Sequence, residues 1–179
     1  MRSVQYLHYI KHTQRGTALV MTLVFLVLLT MLGITAINTS TLEERMAGNT
    51  KDQNLSFQAA ETALRAAETW VESTTAATAL NVNTSNGIYA PSTTTTEVWD
   101  TVTWSGSSNL VIYPGVPGTP ASGTLGDVTT RPKYIIEKLA TEALLPSGTK
   151  ITVRITARGT GANDSTVSMV QSTYSKTYP

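Results

Sequence analysis

The residue types able to carry chemistry are few in this chain, and none of them is arranged as a catalytic set. Its 179 residues include no cysteine, which excludes thiol nucleophiles, thiolate metal sites and disulfides. The two histidines, His8 and His12, have the i,i+4 spacing of a helical metal pair, but no further histidine exists to complete a site. No metal or other cofactor is expected. A serine triad lacks its imidazole, because both histidines lie ahead of a long apolar run, and the carboxylates are scattered without an acid–base pair. Gly159-Thr-Gly161 is not a phosphate loop, since no Lys-Ser/Thr follows. Lys150, Arg154 and Arg158 form a basic stripe, yet no aromatics interleave with it. It reads as a solvated face that discourages edge pairing rather than as a nucleic-acid site. Trp70, Trp99 and Trp104 suit a sugar platform or a core, and core packing is the expectation for at least two of them. The chain is therefore not expected to be an enzyme.

The elements that would position any site begin with residues 17–37, an uninterrupted apolar run whose polar atoms are threonine hydroxyls able to bond back to a helix backbone. As a helix this run rises roughly 30 Å, enough to cross a hydrocarbon core. Residues 1–42 carry Arg2, Lys11 and Arg15 and no acid, so the short leading segment should stay cytoplasmic and the remainder face outward. A secretory signal peptide has a shorter apolar core and a small-x-small site beyond it, whereas here Ile34 stands where the small residue is needed before Ala36. A plain uncleaved anchor fits the run but gives no reason for a glycine at position 16, directly between basic leader and apolar helix.

Beyond the membrane the helix should continue as an amphipathic extension over residues 38–78. Thr41 and Glu44 have capping-box spacing, and Gly48-Asn49 is a second weak point, so a break near residues 38–40 or at 48 and a continuous helix both remain open. Phe57, Ala60, Leu64, Ala67 and Val71 recur at three and four, flanked by Ala63 and Trp70. That stripe predicts the face on which a head packs, with Phe57, Leu64, Trp70 and Val71 as the main contacts.

Residues 79–179 read as a β-rich head. Residues 98–104 and 110–113 alternate and predict strands, residues 114–132 hold four of the seven prolines and must be loop, and residues 134–139 resume as a strand. After a turn at Leu145-Pro-Ser-Gly148, residues 150–158 place Ile151, Val153, Ile155 and Ala157 on one face and Lys150, Thr152, Arg154, Thr156 and Arg158 on the other. A turn over 159–164 and a return over 166–174 complete a hairpin. Its apolar face should lie on the helix and its basic face in water, giving an α+β fold with an antiparallel sheet. Acids dominate residues 43–127 and bases lead from Arg131 onward, so helix and sheet should also attract one another.

The leader ending Gln14-Arg15-Gly16 ahead of Thr17-Ala-Leu-Val resembles a type IV prepilin leader of the class III type. Further likeness lies in Thr41-Leu-Glu-Glu-Arg-Met-Ala-Gly-Asn49, Phe57-Gln-Ala-Ala-Glu61, Ala63-Leu-Arg-Ala-Ala-Glu68, Arg154-Ile-Thr-Ala-Arg-Gly-Thr-Gly161 and Gln171-Ser-Thr-Tyr174. Together these resemble the PilX-type minor pilins over nearly the whole chain. The resemblance implies a leader, residues 1–16, removed by prepilin peptidase after Gly16, and a new N-terminus, Thr17, that becomes methylated. It implies an inner-membrane precursor with a periplasmic head, later moved to the pilus at the cell surface by an assembly platform. Its partners would be other minor and major pilins and the lipid bilayer, with Met21, Phe25, Leu28 and Leu32 packing between subunits. The implied role is structural: priming pilus assembly and supporting twitching motility and adhesion. One departure matters, because most type IV pilins carry glutamate as the fifth mature residue and here that position is Met21. An unscreened ammonium is costly in an apolar core, so a tip position is one reading and a plain apolar anchor residue the other. The alternatives are a tip-class pseudopilin of type II secretion and a membrane-tethered adhesin or sugar-binding module.

Overall fold

The computed structural model describes residues 16–118 and 128–179. Helix α1, Thr17–Ser73, runs without interruption. Of the two courses left open, the continuous helix is the one adopted: the hydroxyls of Thr39 and Thr41 donate to the carbonyls of Thr35 and Ile37 instead of capping a new helix. Gly48 and Asn49 are likewise helical. The helix ends at Ser73 rather than near residue 78, and a 3-10 turn, Ala77–Leu80, follows.

Two compact units divide the chain between Ala47 and Gly48. In the first, the helix stands alone, and every large apolar side chain from Leu19 to Met46 that it carries is exposed. In the second, α1 is the spine of an α+β domain. Its strands are β1 (Ile88–Tyr89), β2 (Val111–Ile112), β3 (Lys133–Ala143), β4 (Thr149–Thr160) and β5 (Val167–Tyr178). The order is β1-β3-β4-β5, with β2 also on β3. All pairs are antiparallel except β1 with β3, so the sheet is mixed rather than purely antiparallel. Strands β4 and β5 pair over twelve residues with no shift in register, from Thr149↔Tyr178 to Thr160↔Val167.

The period-two expectation for β4 matches the core. Ile151, Val153, Ile155 and Ala157 are buried with Tyr134 and Ile136 of β3 and with Ala63, Leu64, Ala67 and Val71 of α1. The opposite face of the sheet departs from expectation, because it is not left to water. A segment containing the short helix α2, Val98–Thr101, packs Val98, Trp99, Val102 and Trp104 around Leu110 and Ile135. These residues had predicted a strand. Their side chains instead gather on one side, as a helical turn and a bend allow, and the Trp104 indole N–H donates to the Trp99 carbonyl at 2.9 Å. Part of the loop predicted over 114–132 lies outside the described residues.

Candidate functional site

No group of three or more His, Asp or Glu side chains able to hold a metal occurs among the described residues. The leader with His8 and His12 lies outside them. The informative surfaces are the two halves of α1.

In the first half, Met21, Phe25, Leu28 and Leu32 are exposed by 57, 62, 51 and 67%, so none of the described residues covers the side chains expected to pack between subunits. The helix is long and apolar enough to cross a membrane. The threonines cost little in such surroundings, since the hydroxyls of Thr22, Thr30 and Thr35 donate to Leu19, Leu26 and Met31 carbonyls at 2.9 Å. At its start, a Cβ added to Gly16 would meet nothing within 4 Å. Packing among the described residues therefore gives no reason for that glycine.

In the second half the helix offers small side chains to the sheet. Ser56, Ala59, Ala60, Ala63 and Ala67 are buried, and the backbone of β4 comes so close that a Cβ on Gly159 would collide with the Ser56 carbonyl and the Ala60 nitrogen. One on Gly161 would collide with Asp52. This close approach explains Gly159-Thr-Gly161, which chemistry had left without a role. It also corrects the place of Phe57, which is 49% exposed rather than packed on the head. The contact face begins one residue earlier, at Ser56, where there is no room for a phenyl ring and the hydroxyl meets that of Ser168 at 2.6 Å. Leu64 and Val71 are buried, and Trp70 packs half-buried against the same core.

Strand β5 fastens the helix residue by residue. Its inward side chains are Ser168, Val170, Ser172, Tyr174, Lys176 and Tyr178. Ser172 donates to Glu68 at 2.6 Å, Tyr174 donates to Glu72, and Tyr178 and Thr74 share a hydrogen bond of 2.8 Å. The Lys176 ammonium donates to the carbonyls of Glu72 and Thr74. It thus supplies the positive charge that the last turn of α1 lacks. At the other end, Asp52 accepts from the Ala162 backbone N–H at 2.6 Å. The Thr166 hydroxyl, followed by the backbone N–H groups of Ala162 and Asn163, holds its carboxyl below the usual range.

On the covered outer face, the basic stripe is only partly solvated. Arg154 donates from Nε to the buried Glu137 at 2.9 Å and also pairs with Glu97. Glu137 accepts in turn from the Ser92 backbone N–H at 3.1 Å, which pins the covering segment. Lys133, also buried, donates to the Trp104 and Gly106 carbonyls at 2.8 Å, and burial pushes its pKa down. The stripe therefore points away from α1. Among the described residues, the expected attraction between acidic helix and basic sheet reduces to Lys176 and Glu72, 4.0 Å apart. Trp99 and Trp104 pack on the outer cluster and Trp70 on the inner one.

A single apolar helix, bare along its first half and spine of a mostly antiparallel sheet along its second, fits a membrane-anchored pilin. Two family models define the kind more narrowly. "PilX N-terminal" matches residues 15–65, and "Type IV pilus assembly protein PilX C-term" matches residues 52–176. The chain belongs to this PilX family of type IV pilus assembly proteins, as a PilX-type minor pilin. None of the curated proteins and none of the solved structures compared with it matches.

Proposed function

We propose that the chain is made as a precursor, held by residues 17–37 in the inner membrane with its head in the periplasm, cut after Gly16 by prepilin peptidase, methylated at Thr17 and drawn into a type IV pilus. Its work is assembly with other minor and major pilins on the inner-membrane platform, priming pilus growth and so supporting twitching motility and adhesion. The observation that carries this reading is the bare apolar helix with a glycine at its boundary that packing among the described residues does not require. Such a surface moves from bilayer to filament without meeting water, because both surroundings are apolar.

Intact-mass analysis of the protein purified from its own cells tests the proposal. The expected species begins at methylated Thr17. A chain retaining residues 1–16 means a plain anchor, and so do normal filaments from an uncut Gly16→Leu variant. A tip-class pseudopilin is the second reading, favoured by Met21 at the fifth mature position. Deletion separates the two, since loss of surface filaments marks the pilus and loss of exported enzymes marks secretion.

A further inference from the structure

Strand β5 is the outermost strand of the sheet and pairs, among the described residues, with β4 alone. Half of its backbone N–H and C=O groups therefore point away from the sheet. Natural edges of this length are normally blunted by charged side chains, whether outward or inward, by prolines or by bulges. Here the outward side chains are Val167, Met169, Gln171, Thr173, Ser175 and Thr177, all uncharged. The β4–β5 ladder has no bulge, and the one charged residue of the strand, Lys176, is engaged at the helix end, which leaves residues 167–175 without any of these devices. The edge is open for pairing.

What lies beside the edge selects the occupant. Glu68 and Glu72 reach β5 rather than β4, through Ser172 and Tyr174, so they stand over the outer margin of the sheet. With Thr69, Ser73 and Tyr174 they line a groove of about 390 Å³ between α1 and β5, where Lys176, 4.0 Å from Glu72, offsets one of the two charges and leaves the groove net acidic. Pairing with β5 of a second copy about a two-fold axis would bring the same carboxylates of both copies together on one face of the joined sheet. Like charges disfavour that arrangement, and a cationic strand is favoured. We propose that the free edge of β5 receives an extended, basic segment of a partner protein as an added strand, with alternate lysines or arginines directed into the Glu68/Glu72 groove. Main-chain hydrogen bonds would supply affinity and the alternation of side chains specificity. This surface is separate from the apolar half of α1 and does not depend on the route by which the chain leaves the membrane.

The test uses the full chain in detergent micelles with a synthetic peptide alternating lysine and valine, and its glutamate-for-lysine counterpart as control. The lysine peptide should bind, slow hydrogen exchange of β5 amides, and lose about tenfold in affinity with Glu68→Gln/Glu72→Gln, a change that keeps hydrogen-bond acceptors and removes charge. Binding should also weaken as salt is raised. Equal binding of both peptides, an unaltered affinity in the double variant, or protection that leaves β5 untouched would overturn the proposal. Thr173→Cys gives a further readout in this cysteine-free chain. Rapid disulfide-linked dimers in the absence of peptide would show that a second copy occupies the edge, contrary to the proposal.

Discussion

At Gly159 the sheet meets the helix backbone to backbone, and one methyl group decides whether it can. Gly159→Ala places a Cβ against the Ser56 carbonyl and Ala60 nitrogen, neither of which can rotate away as a side-chain end would. The expected cost is about 3 kcal/mol, the upper range for overpacking. Gly106→Ala, whose Cβ would meet its nearest neighbour at 3.6 Å, should change stability by less than about 0.5 kcal/mol. Chemical unfolding followed by tryptophan fluorescence measures both, and equal effects would refute the close-approach account. Such a glycine was not legible in the chain, because its requirement comes from residues a hundred positions earlier. Its chemistry could be excluded from the motif, but its packing role needed the partner helix.

Among the elements, those with a long period read well and those serving as cover did not. The alternation of Ile151, Val153, Ile155 and Ala157 specifies β4 and its buried face, since a shift by one residue would turn all four outward. The stripe on α1 was located one residue off at its lower end, because hydrophobicity favoured Phe57 while the real contact selected small residues around Ser56. Residues 98–104 misled because alternation is also met by a short helical turn followed by a bend, once a sheet face needs covering. The join between α1 and the β4–β5 turn has a pH signature. The Asp52 carboxyl is held below its ordinary value of 3.8 by groups on the turn. A depressed folded-state value means that its contribution is complete above the unfolded value and is lost as pH falls through the folded one. Protection of the Ala162 amide from hydrogen exchange should therefore fall on acidification below the ordinary carboxylate range. In Asp52→Asn it should be lower at neutral pH and should no longer respond to acid in that range. A variant with unchanged acid response would place the titration elsewhere.

For the molecule as a whole, the leading apolar run and the antiparallel hairpin are the most legible features, because both follow from patterns sustained over many residues. The tip position proposed from Met21 can be tested directly. If Met21 suits a position with no subunit ahead of it, labelled protein should concentrate at filament ends, and Met21→Glu should spread it along shafts. Even labelling of the unaltered chain would exclude the tip. The ladder from Ser56 and Ser168 through Glu68 and Ser172 to Thr74 and Tyr178 advances in the same direction along α1 and β5. Tension applied along the axis of α1 would thus load these bonds side by side, in shear, instead of peeling them one after another. A head fastened this way resists a steady pull with the sum of its fastenings, a mechanical property that no single contact possesses.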